Sequence, residues 1–167
     1  MLLDVRHFWL SKAGNRPEEY EDAFAGDSKA RRFAVADGAT ESSFAGRWAR
    51  SLAEEYVTNP PPGSAWGLRR WLDPLQRRWH AAIDWDQLPW YAEEKARAGA
   101  FSSLLGLELE PTGHWRSLAV GDSCLFQVHN GELVRAFPLE RSEELGSHPL
   151  LLSSNPANNR RVWRGVR

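Results

Sequence analysis

The sequence predicts an α+β domain, an antiparallel sheet with helices packed on it. Short strand-like apolar runs come first, from Val5 to Ala36, and return from Ala100 onward. Between them apolar residues recur at steps of three and four, the period of a helix with one buried face. The later runs are separated by tight turn signals, among them Asn130-Gly131, the strongest short hairpin signal. Strands, then helices, then strands argue for segregated layers.

The elements follow in order. Val5 to Ser11 reads as a first strand and Lys12 to Glu19 as a polar loop with Gly14 and Pro17. Tyr20 to Ala25 is the second strand, Gly26 to Ala30 a turn, and Arg32 to Ala36 the third strand, paired with the second as a hairpin. Ser42 or Ser43 caps a helix to about Val57, with Phe44, Trp48, Leu52, Ala53 and Tyr56 on one stripe. Pro60-Pro61-Pro62 ends it. A second helical pattern begins near Trp66 and carries Leu68, Trp71, Leu72, Leu75, Trp79 and Ile83. Pro74 lies inside it as a start or a kink. Asp84 to Pro89 is a break, and Tyr91 to Ala98 a further helix. Phe101 to Leu109, Trp115 to Val120, Cys124 to Val128 and Leu133 to Phe137 are strands, with turns at Pro111-Thr112-Gly113 and Asn130-Gly131. Beyond Pro138 the pattern is polar and gives no clear strand.

At 167 residues the chain is the size of one domain, residues 1–167. With 42% hydrophobic residues and nine Trp it can bury a sizeable core. The tryptophans at helical spacing read as a helix-to-sheet core; a row of exposed ones would instead make a ligand platform. A net charge of −1 creates no field that favours nucleic acid. The run Arg160, Arg161, Arg164 and Arg167 is read as a polar segment whose packing partner is absent. One cysteine, Cys124, rules out a disulfide framework and suits a reducing cytoplasm. No apolar run approaches the ~20 residues of a membrane span, and the start does not read as a secretion signal. His7, His80, His114, His129 and His148 stand at no zinc-ligand spacing.

Candidate chemistry gathers at three acids. Phe33-Ala34-Val35-Ala36 runs straight into Asp37-Gly38. A strand ending in a carboxylate places it at the sheet edge beside water, and the glycine lets a carbonyl approach what the acid binds. Hard cations take such oxygen ligands. Asp22, in Tyr20-Glu21-Asp22-Ala23-Phe24, precedes on the neighbouring strand, and Asp122 ends Leu118-Ala119-Val120-Gly121-Asp122-Ser123. Taken singly, each has a structural explanation: Asp-Gly as a turn, Glu-Asp as solvated surface, Gly-Asp-Ser as a hairpin or bulge.

Together and in this order the motifs resemble the metal-dependent protein phosphatase 2C (PPM) family. Glu21-Asp22 comes first, then the VADG of Val35 to Gly38. The small-residue turn Gly99-Ala100-Phe101-Ser102-Ser103 follows, then Val120-Gly121-Asp122-Ser123 and a hairpin over Phe126 to Leu133. The resemblance implies an antiparallel β-sandwich flanked by helices, α-β-β-α. Two Mg2+ or Mn2+ ions between the sheets would activate a water for attack on phosphoserine or phosphothreonine. On that basis Asp37 bridges the metals, the Gly38 carbonyl ligates one, Glu21 and Asp22 hold metal-bound waters, and Asp122 stands near a weaker third site. Catalysis is then expected to rest on Asp37 and Asp22. Arg16, with Lys12 as the second candidate, would bind substrate phosphate.

Three departures qualify the resemblance. Ala39-Thr40-Glu41-Ser42-Ser43 stands where the family has further glycines and a His. Arg16 precedes Glu21 by five residues where the family's Arg precedes by four. No Asp follows Asp122, whereas the family draws two more ligands from later strands; Glu132, Glu140, Glu143 and Glu144 match no motif. The expectation is therefore an incomplete domain, lacking its last strands, that binds divalent metal weakly and hydrolyses phosphate esters poorly. A pseudophosphatase that keeps the fold without the metals is the alternative, and a half-domain completed by another segment or chain is the third. The expected partner is a phosphoprotein, not nucleic acid or membrane.

Overall fold

In a computed structural model the described residues are 3–10, 20–144, 146 and 149–164. Ala23–Asp27 (β1) and Arg32–Ala36 (β2) form the first hairpin. Its turn lies later than the sequence suggests, so Gly26 belongs to β1 and Tyr20 to Asp22 precede the strand. The cause is the Asp27 side chain, which accepts the Lys29 and Ala30 amides at 2.8 and 2.9 Å. Arg31 completes the turn in the left-handed region, φ 57°. Residues 3–10 form no strand, contrary to expectation, and no described strand pairs with them.

Ala45–Thr58 (α1) begins without the serine cap that its sequence suggests. Phe44 takes the cap position at φ 60°, and Ser42 bonds the Ala39 carbonyl instead. Ala65–Ala81 (α2) is capped by Ser64, whose hydroxyl accepts the Gly67 amide. The helix runs through Pro74 rather than starting there. Proline cannot donate to the Arg70 carbonyl, but Arg70 is exposed, where water can replace the amide. Trp90–Ala98 (α3) follows a short 3₁₀ turn at Trp85–Gln87.

The later strands are Phe101–Ser102 (β3), Leu104–Leu109 (β4), Trp115–Val120 (β5), Leu125–His129 (β6), Glu132–Phe137 (β7) and Leu152–Ser153 (β8). One antiparallel sheet has the order β1-β2-β4-β5; β3 pairs with β8 and β6 with β7. Asn130 and Gly131 both take positive φ, as a tight primed hairpin turn requires.

The core lies between α1, α2 and one face of the four-stranded sheet. Trp48, Leu52, Leu68, Leu72, Leu75 and Leu104 are fully or almost fully buried there, and each such side chain contributes about 1.5–3 kcal/mol. Trp71 and Trp79 are buried too, so these tryptophans form a core and not a platform. The sheet face beneath α1 is made small, by Ala23, Ala25, Ala34, Ala36 and Gly106. At Gly106 an added Cβ would lie 2.1 Å from the Tyr56 ring, so the glycine sets how closely helix and sheet approach.

The opposite face carries Phe24, Phe33, Val35, Leu105 and Leu107 by strand alternation. Phe24 and Val35 are each 40% exposed. The β6–β7 hairpin is also open, with Phe126, Val128, Leu133 and Val134 more than half exposed. Trp115 holds it to β5: its indole N–H donates to Gln127 at 3.0 Å, its ring meets Phe137 edge-on, and Arg135 lies over it. The C-terminal stretch corrects another expectation. Val162 is buried, Trp163 packs on the core, and the fully buried Asn159 bonds both the amide and the carbonyl of Ser153. The segment carrying Arg160, Arg161 and Arg164 thus has its packing partner; Arg167 lies outside the described residues.

Candidate functional site

The acids meet in one row. The β1–β2 register pairs Ala23 with Ala36, so one further residue sets Asp22 opposite Asp37. The β2–β4 register, continued likewise, sets Asp37 opposite Ser103, and the β4–β5 register sets Ser103 opposite Gly121. Asp22, Asp37, Ser103 and Gly121 therefore cross the end of the sheet on the large-residue face, the one not covered by α1.

Asp22 and Asp37 both line a cleft of about 770 Å³. Tyr20, Arg50, Glu54 and Ser123 share its wall, and His7 and Trp9 bring residues 3–10 to it. His7 stacks on Phe24 with ring centres 4.8 Å apart, and Trp9 lies against Tyr20 at 5.3 Å. Burial raises the Tyr20 pKa above its ordinary value, and the Asp22 charge, a hydrogen bond to Asp22 and the Asp37 charge raise it further. The phenol therefore stays protonated and donates to the Asp22 carboxylate.

Close backbone contact explains the glycines here. A Cβ on Gly38 would lie 2.8 Å from the Glu21 carbonyl oxygen and 2.9 Å from the backbone of Ala45. Gly46 would similarly meet Glu21 at 3.2 Å. The Glu21 backbone thus crosses the start of α1, which leaves no room for a side chain. Beyond Asp37 the strand continues as a bridge between Gly38 and Ser102. The Ala39 amide bonds the Phe101 carbonyl and the Ser103 amide the Asp37 carbonyl, each at 2.9 Å. In this bridge type the Gly38 carbonyl takes no part and points away from β3.

Ser103 fastens the row. Its hydroxyl accepts the Asp37 amide at 3.0 Å and lies 2.9 Å from the Ser123 hydroxyl. Gly121, at φ 108°, lets the β5 turn come close: a Cβ there would sit 2.6 Å from the Ser103 Cβ. Gly121 and Ser123 are thereby held against Ser103, which in turn bonds Asp37.

The structure brings Asp22 and Asp37 together. Glu21, Gly38 and Asp122 do not line the cleft; Glu21 packs its backbone against Gly38, and Asp122 is exposed beside Ser123. Arg16 and Lys12 lie outside the described residues. Tyr20, Arg50, Ser103 and Ser123 are cleft or cleft-supporting residues that sequence reasoning did not assign. Ser103 and Ser123 each carried a signal, as members of the small-residue turn and of the Gly-Asp-Ser motif. Among the described residues no group of three or more His, Cys, Asp or Glu could hold a metal ion. The oxygen donors Asp22 and Asp37 suit one loosely held hard cation but do not fit a dinuclear centre, since two carboxylates leave most of two octahedral shells to water.

Also among the described residues, no helix is long and apolar enough to cross a membrane. Compared with protein-family models, with curated proteins and with solved structures, the chain matches none.

Proposed function

We propose that the domain has the architecture of a protein phosphatase 2C-type serine/threonine phosphatase, with the Asp22/Asp37 cleft as its phosphate-ester site. The observation that carries this reading is the register that sets Asp22 opposite Asp37 at the end of one sheet face. Supporting it, the acid-bearing face is the one with large, half-exposed apolar residues, the surface a second sheet would cover. The sandwich is incomplete in this reading, and the missing layer, from a further segment or another chain, would bring additional acids over the cleft. A divalent cation, Mg2+ or Mn2+, supplies charge neutralisation and an activated water when bound. Asp22 and Asp37 are the residues that would hold it, and Tyr20 orients Asp22. The substrate is a phosphorylated serine or threonine on a protein, and the single cysteine suits a cytoplasmic setting.

The second reading is a pseudophosphatase that binds phosphorylated partners without turnover. It is favoured by the lack, among the described residues, of any group of three or more His, Cys, Asp or Glu that could hold a metal ion. Hydrolysis of a chromogenic phosphate monoester across a manganese titration separates the two. The phosphatase reading expects slow, manganese-dependent hydrolysis that vanishes in Asp37→Ala. A rate equal to buffer, in a folded chain, discards it in favour of the pseudophosphatase.

A further inference from the structure

Among the described residues the Ser103 hydroxyl has two hydrogen-bond neighbours, the Asp37 amide at 3.0 Å and the Ser123 hydroxyl at 2.9 Å. The amide can only donate, so the Ser103 oxygen accepts from it. Ser103 is fully buried, so its own proton cannot go to water. Buried hydroxyl protons find an acceptor, and the one in reach among the described residues is the Ser123 oxygen. Ser103 therefore donates to Ser123. The Ser123 proton is left over, and Ser123 lines the Asp22/Asp37 cleft, half-exposed. A hydroxyl with its acceptor role filled from behind offers its proton forward.

Arg50 supplies a second donor to the same cleft from α1. Asp22, Asp37 and Glu54 all line that cleft, yet Arg50 makes no hydrogen bond or ion pair with a described residue. Arg6, the other arginine there, is tied to Asp4 at 2.9 Å. Two donors with no acceptor among the described residues thus face a cleft that Asp22, Asp37 and Glu54 also line.

We infer that the Ser123 hydroxyl and the Arg50 guanidinium form an oxyanion subsite that holds a phosphoryl oxygen in this cleft, with Ser103 as the residue that positions Ser123. The inference rests on the phosphate-ester reading of the cleft and names the groups that grip the anion. A hydroxyl and a guanidinium can bond two oxygens of one phosphoryl group.

Titration calorimetry of inorganic phosphate into the 167-residue chain, with and without magnesium, tests it. Ser123→Ala should weaken phosphate binding roughly tenfold, the loss of one hydrogen bond to a charged group. Arg50→Ala should weaken it at least as much. Ser123→Thr, which keeps the hydroxyl, should bind within about threefold of wild type, and thermal melts should match for all. Arg50 is an exposed helix position, so its variant keeps the test open even if a Ser123 variant misfolds. Wild-type binding in both variants, or no phosphate binding by wild type at tens of millimolar, overturns the subsite. The two readings fail separately. Phosphate binding that depends on Ser123 and Arg50, without manganese-dependent hydrolysis, keeps the subsite and discards the enzyme. Hydrolysis lost in Asp37→Ala, with Ser123 and Arg50 silent, does the reverse.

Discussion

The two faces of the four-stranded sheet are built to opposite rules. Beneath α1 the sheet is alanine and glycine, while the helix brings Trp48, Leu52 and Tyr56. On the far side the sheet itself brings the bulk, with Phe24, Phe33, Val35 and Leu107. Small residues mark a face whose partner supplies the volume and sits close. Large ones mark a face that must interlock with a partner of similar roughness, as two sheets do about 10 Å apart. The candidate site lies at the end of the second face, so its chemistry depends on whatever covers that face.

The widest contrast should appear in stability. Trp48 is fully buried and its indole N–H donates to the Leu152 carbonyl at 2.9 Å. Trp48→Ala removes that packing and leaves the carbonyl without its donor. Urea unfolding should show a loss of about 3–5 kcal/mol. A loss below ~1 kcal/mol would mean that α1 does not form the core against the sheet.

Gly106→Ala tests the closeness of the same face. The new methyl would overlap the Tyr56 ring, whose nearest atoms lie 2.1 to 2.5 Å from its position. Either the helix lifts or the ring leaves its place, at about 1–3 kcal/mol. Gly106→Ala combined with Tyr56→Ala should cost less than the two single losses added. Simple additivity would show that the two residues are not in contact.

Tyr56 also gives this face a pH signature. Burial first, and the Glu108 charge second, push its pKa up to about 12 from 10.0. The unfolded chain ionises first, so stability from this residue is present below pH 10 and falls as pH rises towards 12. The loss is on the order of 2 kcal/mol. Unfolding midpoints between pH 9 and 12 should drop more steeply in wild type than in Tyr56→Phe.

How much of this was legible depends on whether the cause is local. Trp115 to Val120 is legible as a strand to the residue, and Asn130-Gly131 as the turn of the β6–β7 hairpin, because alternation and turn chemistry sit in adjacent residues. The β1–β2 turn was misplaced because Arg31 adopts a left-handed conformation that its side chain does not advertise; the Asp27 carboxylate enforces it from four residues back. Residues 3–10 alternate like a strand but have no described strand to pair with, and pairing is not written in a strand's own sequence. Asp22 and Asp37 were legible as strand-edge acids. Arg50 was not, since a charged residue on a helix reads as solvated surface, and only the packing of α1 over β1 and β2 brings it to the cleft. The Ser103–Ser123 contact joins residues far apart in the chain, which no local pattern can announce.

The smallest effect in stability should come from the outer face, and there the sign of a second property matters more. Phe24 and Val35 are each 40% exposed, so folding of this chain gains little from them. Val35→Thr keeps the β-branched shape and the strand preference. It should shift the unfolding free energy by less than about 1 kcal/mol. The same change replaces an apolar methyl by a hydroxyl on a surface that otherwise offers contiguous apolar area. If that surface is a docking face, wild type should self-associate at high concentration, and Val35→Thr should do so less, by sedimentation velocity. A loss of several kcal/mol would instead place Val35 in a packed interior and remove the difference between the two faces. Equal monomer fractions for both proteins up to millimolar concentration would show that the large residues of this face do not seek a partner, and the case for a second layer over Asp22 and Asp37 would lose its physical basis.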